Sequence, residues 1–302
     1  MSYKLITYQQ PDGPRAGIII DGRAYDLAKL SDSPGYASIR TVLENWDSAN
    51  GLLAGLAPGS ALPSHPLDTI DLLPPVLYPG AIYCAGANYR DHIENMARKF
   101  NLPAPPDPHE LGIAPWHFIK ASWCAVGHRA KVPLTSDFLD WEAELAVVIG
   151  KAARNVSVAD AASYIAAYTI ANDLSARDRV QQTALQETSP FRYDWIGHKC
   201  FDGSCPIGPW LVPANDVKDP QNLAIRTYVN DALKQDSSTG QMLFSVAEQL
   251  SHLSSRITLH PGDVILTGTP AGVGLETGER LHRSDRVRIE IEGLGELVTD
   301  IV

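Results

Sequence analysis

Glu142 and Glu144 stand two residues apart in Asp140-Trp-Glu-Ala-Glu-Leu-Ala-Val-Val-Ile-Gly150, at the entrance to a run that reads as a buried strand. Side chains two apart on a strand share a face, so the two carboxylates are neighbours. Burial sharpens their repulsion and desolvation, and a cation relieves both. A third carboxylate, Asp173, follows the apolar run Tyr168-Thr-Ile-Ala and the polar Asn172. Three oxygen donors without a Cys or His pair beside them point to a hard ion. Mg²⁺ or Mn²⁺ is expected, Ca²⁺ is compatible on ligand chemistry alone, and Zn²⁺ is disfavoured. An isolated Glu-x-Glu usually faces solvent. The apolar run after Glu144 and the later Asp173 favour the metal site instead.

The 302 residues, 44% hydrophobic and 20% charged, hold enough apolar material for one large domain with a small appendage. A formal charge of −10, with no basic run to offset it, argues against nucleic-acid or anionic-membrane partners. An acidic substrate therefore needs local cations or a metal. The first residues lack the pattern of a secretory signal, and no apolar run approaches membrane-spanning length. None of the four cysteines forms a CxxC pair, so a reducing, cytoplasmic setting is expected.

The elements that position these acids read as α+β, mostly β. Residues 3–8 and 15–20 suggest two strands about a Pro-Asp-Gly-Pro turn, and Asp21-Gly22 is a hairpin signal. A helical stretch over 38–56 and a Pro58-Gly59 loop complete a small amino-terminal α+β domain, 1–71. The proline-stiffened segment 72–80 opens the catalytic domain, 72–302. There, short strands are expected at 81–86, 145–149, 167–171, 208–212, 224–229, 263–267 and 286–292, with helices at 158–166 and 244–254. The proline-rich stretch 101–116 has the length and composition of a lid or of a surface loop.

Five ordered segments then converge: Tyr83-Cys-Ala-Gly-Ala-Asn-Tyr-Arg-Asp-His92, the Glu142/Glu144 strand, Ala171-Asn-Asp-Leu-Ser-Ala-Arg-Asp178, Lys199-Cys-Phe-Asp-Gly-Ser-Cys-Pro-Ile-Gly-Pro-Trp210 and Pro261-Gly-Asp-Val-Ile-Leu-Thr-Gly-Thr-Pro270. Together they resemble the fumarylacetoacetate hydrolase (FAH) family over roughly 72–302. The resemblance implies a mixed β-roll-like catalytic fold, one Mg²⁺ or Mn²⁺, a homodimer, and chemistry on small 2-oxo acids. By position, Glu142, Glu144 and Asp173 match the metal ligands. Lys199 matches a lysine facing the substrate, Thr269 a residue near its carboxylate, and Gln181 a substrate-contacting glutamine. His92 matches a proposed base.

One departure stands out. Many relatives place a glutamate three residues after this histidine, whereas the chain has Asn95 there and Glu94 one residue early. On a helix, positions two apart diverge. Glu94 therefore serves as the acid only if the segment is irregular or rearranges. The expected reaction is cleavage of a C–C bond in an acylpyruvate or related 2,4-dioxo acid through a metal-stabilised enolate. Decarboxylation, enol–keto isomerisation, or a catalytically impaired metal-binding protein are the alternatives. Arg177 and Asp178 read as a salt bridge supporting the third ligand.

Overall fold

The computed structural model describes residues 2–57 and 62–302; the expected Pro58-Gly59 loop lies outside them. Its centre is the strand Ala143–Ile149, in which every residue is buried. That strand pairs antiparallel with Ile165–Asn172 on one side and with Val264–Leu266 on the other. Beyond Val264–Leu266 come Ile82–Ala85, parallel to it, and then His117–Lys120, antiparallel. In the other direction Cys205–Pro213 joins Ile165–Asn172 to the amino-terminal strand Lys4–Gln10 through Leu211 and Leu5. The amino-terminal and catalytic strands thus form one mixed sheet, of twelve strands among the described residues.

A second sheet runs in the order Ala232–Ser238, Ala224–Val229, Arg286–Ile291, Gly295–Ile301 and Ala130–Val132. Against it and the helix Val246–Arg256 pack Leu145, Val147 and Ile149, in a core shared with Ile225, Leu250 and Ile289. Ala146 and Val148 point the other way, into a core with Leu5, Val42, Leu43 and Trp46. The central strand is covered on both faces, which is why its sequence is continuously apolar instead of alternating. Each fully buried aliphatic side chain contributes about 1.5–3 kcal/mol relative to exposure.

Several local signals act as their chemistry dictates. Asp21 and Gly22 both take positive φ (48° and 75°) in the two-residue turn between Gly13–Ile20 and Arg23–Asp26. Ser245 and Glu248 form a reciprocal capping box that starts Val246–Arg256. Elsewhere the structure departs from expectation. The stretch 38–56 breaks at Asn45 into Ile39–Glu44 and Trp46–Ala54. The helix expected over 158–166 is a single 3₁₀ turn, Ala161–Tyr164, because Ile165 already begins a strand pairing on both edges. Sheet pairing and burial there outweigh the helical preference of the alanines. No helix among the described residues is long and apolar enough to cross a membrane.

Candidate active site

The antiparallel pairing that organises the sheet also assembles the acids. Where Ala143–Ile149 meets Ile165–Asn172, the Asp173 N–H donates to the Glu142 carbonyl at 2.9 Å, and the Glu142 N–H donates to Asn172 Oδ1 at 3.0 Å. Asp173 therefore sits across from Glu142, and Glu144 lies on the same strand face. One carboxylate oxygen from each of the three lies within 4.8 Å of the others. Their exposures are 7, 1 and 1% for Glu142, Glu144 and Asp173.

Three cations face them. Lys199 Nζ donates to Glu142 Oε2 at 2.9 Å and to Asp173 Oδ2 at 2.6 Å. Lys120, fully buried at the end of His117–Lys120, donates to Asp173 Oδ1 at 2.6 Å and to the Leu174 carbonyl. Arg177 bridges Asp140 and Glu142. It pairs with neither Asp178 nor Asp173, so the expected salt bridge is absent. Asp178 instead accepts hydrogen bonds from Ser136 and the Asp137 N–H.

The charges do not balance. Asp140, Glu142, Glu144 and Asp173 face only Lys120, Arg177 and Lys199, and Glu144 has no ion-pair partner among the described residues. Among the described residues its carboxylate accepts only the Gly268 N–H, at 2.5 Å. Burial, with the charges of Asp173 and Glu142, pushes its pKa well above the usual carboxylate range. Burial would also raise Glu142, but Lys199 and Arg177 more than offset it and hold that group low. An all-oxygen donor set with one uncompensated buried carboxylate fits a hard divalent ion. Glu142, Glu144 and Asp173 would hold it.

Glu142 and Glu144 open into a cavity of about 150 Å³, lined also by His92, Arg177, His198, Lys199 and Thr269. Trp116, Phe118 and Trp195 form one wall, their rings 5.6–6.0 Å apart. On the opposite side the Thr267-Gly-Thr-Pro turn approaches closely. Gly268 has φ +93°, and a Cβ there would lie 2.8 Å from the Asn88 Cβ. Asn88, itself buried, fixes that turn by donating to the Thr267 carbonyl. Thr269 Oγ1 accepts a hydrogen bond from the fully buried Gln235 amide at 2.9 Å. With that lone pair occupied, the Thr269 hydroxyl proton is free to point at a substrate oxygen. His198 donates from Nδ1 to the Ala176 carbonyl at 3.0 Å. Burial, with Lys199 beside it, lowers its pKa to about 4, so the ring is neutral.

His92 lies on the regular helix Arg90–Lys99, at the cavity edge. Its acid partner is neither Glu94 nor Asn95. Glu276, on the short helix Gly274–Thr277, accepts from His92 Nδ1 at 2.6 Å. The Glu94 side chain makes no hydrogen bond or ion pair among the described residues and does not line the cavity. Gln181 lies on the exposed segment that pairs with Tyr193, also away from the cavity lining. Lys120, Gln235 and Glu276 escape sequence reading because each meets its partner only through long-range folding. The one available cue is Lys120, a charge that directly follows the apolar pair Phe118-Ile119.

A cavity that sets a histidine and a hydroxyl donor against a buried carboxylate cluster suits enzymes that develop negative charge on a small oxygen-rich substrate. Residues 81–302 match the family described as fumarylacetoacetate (FAA) hydrolase C-terminal. The chain belongs to the fumarylacetoacetate hydrolase family. It is 39% identical to a mitochondrial oxaloacetate tautomerase of Bos taurus, an alignment covering 99% of this chain and 91% of the relative. Among solved structures, the fumarylacetoacetate hydrolase of Exiguobacterium antarcticum aligns over 99% of both chains at 30% identity and TM-score 0.79. The maleylpyruvate hydrolase of Sphingobium sp. SYK-6, in complex with manganese(II) and pyruvate, aligns over 99% of this chain and 98% of that one at 27% identity and TM-score 0.73.

Proposed function

We propose that this protein is an enol–keto tautomerase of oxaloacetate or a similarly small 2-oxo diacid, working with Mg²⁺ or Mn²⁺ at Glu142, Glu144 and Asp173. The observation that carries the reading is the 39% identity to an oxaloacetate tautomerase along almost the whole chain. The cavity agrees with it: about 150 Å³ is well below the usual range for drug-sized ligands and suits a small acid.

In this reading His92 Nε2 takes a proton from the carbon beside the 2-oxo group, and the electron pair moves onto the carbonyl oxygen. Protonation of that oxygen gives the enol, and the reverse path returns the keto form with no atom gained or lost. A bound divalent ion would stabilise the negative charge on that oxygen. Lys199 adds positive charge on the same side, and Thr269 donates to the substrate carboxylate. The aromatic wall keeps bulk water from the proton being transferred.

A second reading is the C–C hydrolysis that the motifs suggest, favoured by the maleylpyruvate hydrolase among the structural relatives. It uses the same base to activate water. Four free cysteines suit a reducing compartment such as the cytoplasm. Exposed Trp123 and Ile196 offer apolar surface for the proposed homodimer.

The test is to follow oxaloacetate enol decay and acylpyruvate cleavage with metal-stripped protein, with and without Mg²⁺ or Mn²⁺. Metal-dependent tautomerisation without carbon fragments supports the first reading. Release of pyruvate plus an organic acid replaces it with the second, and no turnover of either substrate defeats both.

A further inference from the structure

We propose that His198 contacts the substrate: its Nε2 accepts a hydrogen bond from the enol hydroxyl and makes the cavity selective for a hydroxyl beside the bound carboxylate. The inference rests on, and deepens, the reading of the substrate as a small 2-oxo diacid.

The tautomer of His198 is fixed by its partner. A backbone carbonyl only accepts, so the 3.0 Å contact with the Ala176 oxygen places the ring proton on Nδ1 and leaves Nε2 a bare lone pair. That carbonyl belongs to the strand Ser175–Ala176, which begins two residues beyond Asp173 and pairs antiparallel with Leu139–Asp140. The Trp195 ring meets the imidazole edge-on at 5.9 Å. Both rings are carried by the helix Trp195–Lys199, whose first turn is capped by Asp194. The imidazole is therefore held by contacts on two elements.

Nε2 is left over. It makes no hydrogen bond among the described residues, yet it keeps open surface on a ring that is 3% exposed and lines the cavity. A polar atom so deeply set calls for a partner, and here that partner must be a donor. The neighbouring cations are directed elsewhere: Lys199 donates to Glu142 and Asp173, and Arg177 to Asp140 and Glu142. The donor has to come from what enters the cavity.

A 2-oxo diacid offers one. Near neutrality both of its carboxyl groups are ionised. Carboxylate and keto oxygens only accept, and would meet Nε2 lone pair against lone pair. The enol O–H is the single donor such a molecule carries. Burial, with Lys199 and Arg177 nearby, keeps the imidazole unprotonated, so it stays an acceptor through the neutral range. The two cavity histidines then divide the substrate, His92 acting at the carbon and His198 at the oxygen of the same enol.

The experiment uses malate, in its tighter-binding enantiomer, and succinate as probes. Malate carries a hydroxyl where the enol does and cannot tautomerise, and succinate lacks it. Both are titrated by calorimetry into Mg²⁺-loaded wild type and His198→Asn, with thermal melts of each, and the His198 ring of wild type is followed by ¹⁵N NMR. Asparagine can still donate to Ala176 from Nδ2 but has no atom at the Nε2 position. H198N should bind malate about 3- to 10-fold more weakly, the loss of one neutral hydrogen bond, with succinate within about twofold. In wild type the bare Nε2 resonance should move upfield with malate and stay in place with succinate. Equal losses for the two acids in H198N, an equal ¹⁵N response to both, or binding of neither overturns the proposal. Should the melts show H198N unfolded, the wild-type ¹⁵N comparison decides alone. If malate engages His198 but the enzyme leaves oxaloacetate enol unchanged, the tautomerase reading fails while the role of His198 stands.

Discussion

Lys120 Nζ lies 2.6 Å from Asp173 Oδ1 in a pair with at most 1% exposure on either side chain. Burial opposes the charge on Lys120, but Asp173 outweighs it and raises the lysine pKa. Removing one member of a buried pair costs about 3–5 kcal/mol, and Lys199, still 2.6 Å from Asp173 Oδ2, holds the loss here toward the lower end. Lys120→Met, close in size, should therefore lower the stability of the metal-free protein by that order. Mn²⁺ should restore part of the loss by replacing the missing charge. Urea melts with and without Mn²⁺ check this, and an unchanged midpoint would show that Asp173 does not depend on Lys120.

Glu144→Gln should act in the opposite sense. Glu144 has no ion-pair partner among the described residues and a pKa raised chiefly by burial. The glutamine oxygen can still accept from Gly268, so metal-free stability should hold or rise. Metal affinity should drop by at least about 100-fold, beyond the loss typical of an outer-sphere partner. Calorimetric titration with Mn²⁺ beside a thermal melt separates the two effects.

The adjacency of the acids is legible in the sequence because both of its causes are local. A two-residue period places Glu142 and Glu144 on one face, and the apolar runs beside Glu144 and Asp173 mark strands that must be buried. The long-range partners are less legible. Lys120 is 53 residues from Asp173, and His92 is 184 residues from Glu276, so no pattern within one element can reveal either contact. Gly-Leu-Glu-Thr-Gly around Glu276 reads as a surface turn until Asp140 caps it. The strand Ala232–Ser238 is hidden for a different reason. Its Lys-Gln-Asp-Ser-Ser sequence is polar, yet Gln235 is fully buried because Ala143, Thr227, Thr269 and Pro270 satisfy its amide.

Acid should destabilise the protein partly through two histidines away from the cavity. Burial, with His252 beside it, lowers His117 to about 4, and burial, with Arg129 nearby, lowers His128 to about 4. Both lie below the ordinary 6.5, so between those values the unfolded chain binds more protons than the folded one. Stability is then lost as pH falls from 6.5 toward 4, on the order of 1–3 kcal/mol for each histidine. His117→Phe keeps the ring volume and removes one of these groups, so its melting temperature should fall less than wild type's over that window. Parallel curves would rule out His117 as a source of the acid sensitivity.

Thr269 and Gln235 give a test of substrate binding apart from the base. Gln235 is fully buried, and its amide also donates to the Pro270 carbonyl at 2.9 Å. Thr269→Val therefore leaves the glutamine anchored while deleting one hydroxyl. A hydrogen bond to a charged group contributes about 1.5–3 kcal/mol, so kcat/KM should fall roughly 10- to 100-fold, mostly through KM. Gln235→Leu should give a similar loss by freeing the hydroxyl to rotate, together with lower stability, because the Ala143 N–H and the Thr227 hydroxyl lose their acceptor. Kinetics of both variants on the same 2-oxo acid decide the point. If T269V alters kcat and leaves KM untouched, Thr269 acts on the reacting centre and the substrate carboxylate is held elsewhere, with Lys199 and Arg177 the cations at hand in the cavity.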